Sequence, residues 1–275
     1  MLEADGTRTG KVGKLGLLRI FFEPRGERTV LSRRYASSPF GAVRANYPDA
    51  SGTPEIQITN PSGGILGGDR LKLEVNLSPR SSATLLTQAA NKAYRGPESR
   101  QDATFHLEEE AFLEYMPHHL IPYAASNYHQ QTTFHLAADA TLLTWDAVSA
   151  GRLARGERFA FDGLFNRMRI FRNGMPEVAD GFDLTGGHKE SFGGYSYLAA
   201  AYVCAPTDLG PLADKLHKAL SGVPASLVSS SAPSAGLCTV RVLADSAHIL
   251  YKTLNLCREM ARGFLELPAP ARGVL

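Results

Sequence analysis

A chain of 275 residues with 29 Lys+Arg against 27 Asp+Glu carries a net charge of only +2, which excludes the basic footprint of a nucleic-acid binder and an acidic partner tail. At this length roughly 75% of the unfolded surface can be buried, so neither a disulfide nor a metal is needed to hold the core. Cys204, Cys238 and Cys257 lie in apolar surroundings without C-x-x-C spacing, which argues against a disulfide framework or thiolate zinc site and predicts buried free thiols.

The first residues, "MLEADGTRTGKVGKLG", contain no apolar signal core, and no run of ~18 apolar residues occurs. The expectation is a cytoplasmic protein with no membrane partner, flexible over residues 1–14. From residue 15 the pattern has period two. "LKLEVNLS" is the clearest case: Leu71, Leu73, Val75 and Leu77 point one way, and Lys72, Glu74 and Asn76 the other. Similar strands are predicted over 15–22, 28–36, 54–60, 82–88, 103–110, 111–116, 128–137 and 140–148. Asn173-Gly174 and Asp180-Gly181 suit tight hairpin turns and predict a three-stranded meander.

Helical period appears only in the last third. Residues 209–222 have Pro211 early, Gly222 late and Leu212, Leu216 and Leu220 on one face. Residues 246–265 follow Asp245 as N-cap and place Ala247, Leu250, Leu254, Cys257, Ala261 and Phe264 at spacings of three or four. The Ser/Pro run "VSSSAPSAG" (228–236) reads as a loop, and no internal repeat is legible. The fold class expected is mainly β: one strand-rich domain over 1–275, of stacked or meandering sheets, with two α-helices near the C-terminus.

Local chemistry is sparse. "NPSGGILGGDRL" (60–71) sets Gly63, Gly64, Gly67 and Gly68 before Asp69, but it lacks the lysine and hydroxyl of a phosphate loop. A strand follows rather than the helix of a dinucleotide site. Glycines shaping a turn between strands is the plain reading. No G-x-S-x-G elbow or H-E-x-x-H helix occurs. In "GRLARGERF" (151–159), Arg152, Arg155, Glu157 and Arg158 form either a partner-docking cluster or a solvated strand face. His118 and His119 in "MPHHLIPY" are candidate metal ligands, and His129 and His135 share a strand face if that strand is regular.

Taken in order, "NPSGGILGGDRL", "NKAYRG" (91–96), "LEYMPHHLIPY" (113–123) and "GRLARGERF" resemble the urease accessory protein D family, called H in some organisms. The resemblance spans about residues 15–265. It implies a non-catalytic scaffold that binds apo-urease and accessory proteins F and G and supports nickel insertion, with no permanent cofactor and Ni2+ held only transiently. Gly63, Gly64, Gly67, Gly68, Asp69, Arg152, Arg155 and Glu157 are then the expected interaction or nickel-route residues, with Asp69 either capping backbone amides or lining a polar route. The family's third motif commonly has Asp-Pro where His118-His119 stand, so a ligand role for these histidines is particular to this chain. A β-rich metal-dependent enzyme, or a nickel-binding metallochaperone, acting through a His/Asp site stays open on the residues alone.

Overall fold

The computed structural model describes residues 13–41, 43–185, 192–270 and 273–274. The expectation of a flexible start falls almost wholly on residues 1–12, outside the described residues. The chain enters one sheet as β1 (Leu15–Arg25) and returns as β2 (Arg28–Ala36), and β3 (Ala45–Asn46) and β4 (Glu55–Ile58) start a second sheet. Strands then alternate between the two. β5 (Arg70–Leu77) lies in the first sheet and β6 (Ser82–Thr87) in the second. After the short β7 (Asn91–Ala93), β8 (Ser99–Leu107) returns to the first and β9 (Phe112–Met116) to the second. After the short β10 (Leu120–Pro122), β11 (Asn127–Leu136) and β12 (Thr141–Ser149) repeat the move. The hairpin β13 (Gly163–Arg172) and β14 (Met175–Thr185) ends the first sheet. The second sheet is completed by β15 (Tyr197–Cys204), β16 (Ser226–Ser234) and β17 (Leu237–Ala244), with helix α1 (Gly210–Leu220) before β16 and α2 (Ala247–Phe264) after β17. The fold is mainly β with two helices near the C-terminus.

The stacking is largely parallel. β1, β5, β8, β11 and β13 pair parallel in one sheet, and β4, β6, β9 and β12 in the other. A parallel pair needs a long crossover, and here the strand of the opposite sheet supplies it in place of a helix. The absence of β-α alternation in the sequence therefore did not exclude parallel pairing. Successive coils place Leu77, Leu107 and Leu136 in one column and Val75, Phe105 and Phe134 in another. The Phe105 and Phe134 rings stack at 4.5 Å.

Each coil turns between sheets through four equivalent residues. Ser81 N donates to Ser78 O at 3.1 Å, Ala111 N to Glu108 O at 3.1 Å, and Ala140 N to Ala137 O at 3.3 Å. The structure thus contains a repeat of some thirty residues that the sequence does not advertise. Only the inward columns and the buried small residue ending each turn recur, so identity elsewhere is unconstrained.

Three further expectations are corrected. Asp180-Gly181 lies inside β14 and makes no turn: a Cβ on Gly181 would come within 2.2 Å of Asn166 O, so glycine there serves close strand approach. Only Asn173-Gly174 forms a hairpin, both residues at positive φ. The Ser/Pro run is mostly β16, an edge strand whose register shifts between Ser231 and Ser234, and Pro233 is tolerated there because an edge demands fewer donors. The α2 N-cap is Ser246, whose hydroxyl accepts from Ile249 N at 3.3 Å.

The main core fills the space between the sheets with Ile20, Phe22, Val75, Leu85, Phe105, Leu113 and Phe134. A second core lies under the helices, where Leu212, Leu216, Leu250, Leu254 and Cys257 meet Leu143, Trp145 and Val240. All three cysteines are buried and free. A third cluster, around Ile65, Ala93, Leu120, Tyr128 and Phe161, supports the end of the coils where the sequence motifs gather.

Candidate functional site

The long connections of successive coils line up as a third, short ladder. Ile65 N donates to Lys92 O at 2.7 Å, Tyr94 N to Ile65 O at 2.9 Å, and Tyr123 N to Ala93 O at 3.0 Å, while β7 and β10 pair parallel. This sets "NPSGGILGGDRL" beside "NKAYRG", and "NKAYRG" beside "HHLIPY". Tyr94 meets Tyr123 edge-on at 5.0 Å. The fourth motif closes over them: the Arg152 guanidinium stands 4.5 Å over the Tyr123 ring and is ion-paired with Glu157, whose other oxygen accepts from Ala124 N at 3.1 Å. Four segments separated in sequence form one contiguous surface.

Glycine is required where backbones touch. A Cβ on Gly64 would lie 2.5 Å from Lys92 O, and one on Gly67 would lie 2.7 Å from Gly96 Cα. Gly63 lies at the cavity mouth described below, and Gly68 N donates to Pro97 O at 3.0 Å. Asp69 is fully buried, accepting from Lys14 N at 2.7 Å on Oδ1 and from Leu66 N at 2.9 Å on Oδ2. Of its two expected roles, the geometry is that of an amide cap tying the loop to the start of β1.

"GRLARGERF" is no strand face: it forms a 3-10 turn, Leu153–Arg155, followed by a loop. Arg152 holds the Glu157 carboxyl below its ordinary range. Arg155 is exposed at the end of the turn. Arg158 reaches inward, donating to Gly194 O at 3.0 Å and Ser196 Oγ at 3.1 Å.

The two adjacent histidines diverge. His118 borders a cavity, with Nδ1 3.1 Å from Thr87 Oγ1. His119 turns towards α2, where its Nδ1 lies 2.8 Å from the Tyr251 hydroxyl and its ring meets Tyr197 edge-on at 5.3 Å. Burial, with His118 adding to it, lowers the His119 pKa to about 4, so this imidazole is neutral at pH 7. Among the described residues no three His, Cys, Asp or Glu side chains are grouped to hold a metal ion. His129 and His135 do lie on one face of β11, the outer one, where His129 stacks on Phe165 at 4.1 Å.

The cavity, of about 390 Å3, opens between Gly63, Gly64, Lys92 and His118 and runs inward between the sheets to Tyr115, Gln130 and Asp146. A second cavity of about 190 Å3 continues from the same Asp146 and Met168 towards Asp180, Tyr202 and Arg241. Asp146 stands where they meet, and the part of its surface left uncovered is cavity wall. It accepts from Gln130 Nε2 at 3.2 Å and from Asn166 Nδ2. Burial raises its pKa and the Asp180 charge adds to this, while the two amides act in the opposite direction. At the far end Arg241 pairs with Asp180 at 2.6 Å, and the Tyr202 hydroxyl donates to the same carboxylate.

Sequence reasoning passed over Asp146, Gln130 and Asn166. The available signal was Asp146 in "TLLTWDAVS", where an acid takes the inward position that Leu142 and Thr144 occupy earlier in the same strand. Chemically the arrangement is a polar passage, with the Asp146 and Asp180 carboxylates, side-chain amides and phenols along apolar walls.

A sequence model of the family described as UreD urease accessory protein matches residues 14–274. The chain belongs to this family. It is 33% identical to urease accessory protein UreD 2 of Streptomyces griseus subsp. griseus over 282 residues, covering 97% of this chain and 96% of that protein. It is 30% identical to urease accessory protein UreD of Haloarcula marismortui, covering 95% and 91%. The UreD of Klebsiella aerogenes is 29% identical, covering 94% and 95%. The four motifs that carry the UreD resemblance are those that meet around Tyr123. No helix among the described residues is long and apolar enough to cross a membrane.

Proposed function

We propose that this protein is a urease maturation factor: a non-catalytic scaffold that binds apo-urease and accessory proteins F and G in the cytoplasm and supports nickel insertion. The observation that carries this reading is the family match over nearly the whole chain. The convergence of the four motifs on one surface supports it, because residues spread from Asn60 to Phe159 in the sequence are held together there. In this reading the exposed Arg155 and the loop around Gly63 and Gly64 face partner proteins, and Gly67, Gly68, Asp69, Arg152 and Glu157 keep that surface in shape. Nickel is cargo, taken up transiently where His118 and the glycine loop frame the cavity and drawn inward by the Asp146 carboxylate.

Co-expression of urease subunits with the F and G proteins, with and without this chain, tests the proposal under limiting nickel. Active urease is expected only when the chain is present, and the purified chain alone is expected to hydrolyse no urea. Equal urease activity in both arms would sink it.

A further inference from the structure

We infer that Leu66, at the tip of the glycine loop, and Leu15, at the start of β1, are the apolar anchors that seat accessory proteins F and G on this chain, against an apolar site rimmed by carboxylates. The inference rests on the maturation reading and names which partner takes this end of the molecule.

Leu66 is 41% exposed and Leu15 78%. An exposed leucine is ordinary by itself, and what sets this pair apart is how it is presented. The Leu66 backbone is fixed at both of its polar groups: the N–H donates to Asp69 Oδ2 at 2.9 Å, and the carbonyl accepts from Asp69 N at 3.0 Å. Ile65 before it is buried and bonded to Lys92 and Tyr94, and a Cβ on Gly67 after it would meet Gly96. The other Asp69 oxygen accepts from the N–H of Lys14, the residue next to Leu15. One buried carboxylate thus ties down the backbone at both leucines while their side chains stand in water. A side chain on so rigid a turn loses little freedom on binding, so more of its burial is kept as affinity.

Two observations choose the occupant. The loop that carries Leu66 also frames the cavity mouth, since Gly63, Gly64 and Lys92 line it and Lys92 O accepts from Ile65 N. A protein seated on Leu66 therefore stands over the place where nickel is taken up, which suits the side that supplies the ion and not apo-urease, which receives it. The surroundings, moreover, are cationic. Lys14 and Arg95 are exposed; the Lys14 ammonium reaches across the loop to Ser62 Oγ at 3.0 Å, and a Cβ on Gly67 would lie 3.0 Å from Arg95 O. The nearby carboxylates are engaged, Asp69 by backbone amides and Glu98 by Arg70 and His129. A protein that delivers a divalent cation brings anionic ligands with it, and such a surface complements this rim.

The test measures binding of the purified full chain to the assembled F and G proteins and, separately, to apo-urease, by biolayer interferometry at low and high NaCl. Leu66→Ser and Leu15→Ser are each expected to weaken binding of F and G by about tenfold or more and to leave apo-urease binding as in the parent. Lys14→Glu is expected to slow association with F and G, and high salt to weaken it in the parent. Leu227→Ser, equally exposed but on the far edge strand β16, is expected to change neither interaction. Thermal midpoints of the variants should match the parent, since no buried group is removed. Unchanged binding of F and G in both leucine variants overturns the proposal, and so does loss of apo-urease binding in its place. A parent chain that binds neither partner overturns the maturation reading itself, and the proposal with it.

Discussion

Glu114 of β9 and Arg258 of α2, 144 residues apart, form a buried ion pair at 2.6 Å, and Arg262 one turn later reaches the same carboxylate oxygen at 2.9 Å. Burial alone would raise the pKa of this carboxyl. The two guanidinium groups outweigh it and hold the Glu114 pKa below its ordinary range. Glu114→Gln removes the countercharge from two buried arginines, so it is expected to destabilise the protein by about 3–5 kcal/mol in urea unfolding at neutral pH. A carboxyl whose folded pKa is depressed contributes stability above its unfolded pKa and loses it as pH falls through the folded value. The gap between variant and parent should therefore be largest near neutrality and close in acid.

Asp146 has the opposite sign. Its folded pKa is raised, chiefly by burial, so the stability it contributes is present below its unfolded pKa and lost as pH rises through the folded value. Asp146→Asn should consequently gain stability relative to the parent as pH increases, and urea midpoints measured across pH 4–8 will show it. A difference independent of pH would mean that the carboxylate is solvated through the cavities. The same variant is expected to slow urease activation under limiting nickel, since it removes the one carboxylate where the cavities meet.

Gly67→Ala places a methyl against the backbone of Gly96 and forces the first two motifs apart. A cost of about 1–3 kcal/mol is expected from overpacking, read as a lower thermal midpoint, together with reduced urease activation. Full activation with a lowered midpoint would show that the spacing of these two motifs does not matter to partners.

Arg155 and Glu157 separate surface from support. Arg155→Ala should leave the thermal midpoint unchanged and reduce urease activation in cells. Glu157→Ala releases both Arg152 and Ala124 N, so it should lower the midpoint by a few degrees as well. If Arg155→Ala activates urease as the parent does, the exposed end of the turn is no partner contact.

Much of the architecture was legible because alternation survives in strands with one wet face: Leu71, Leu73, Val75 and Leu77 are buried where period two puts them. Helix faces were equally plain at Leu212, Leu216 and Leu220. Pairing direction was not, since period two is the same in parallel and antiparallel strands. The motifs marked the site, but their meeting around Tyr123 depends on a ladder between loops that no periodicity announces. Asp146 was hidden for another reason: its partners Gln130 and Asn166 are on two different strands, and only the closed sandwich joins them to it.

The equivalent turns at Ser78–Ser81, Glu108–Ala111 and Ala137–Ala140 bear on how the chain is made. Each coil pairs backwards with the one before it, so a coil emerging from the ribosome finds its template already finished, and assembly can follow the order of synthesis. Until β14 arrives to cover β13, however, the growing end presents an unpaired strand edge to every other nascent copy. In the first sheet that interval closes with the Asn173-Gly174 turn, whose short reach brings the cover strand back at once.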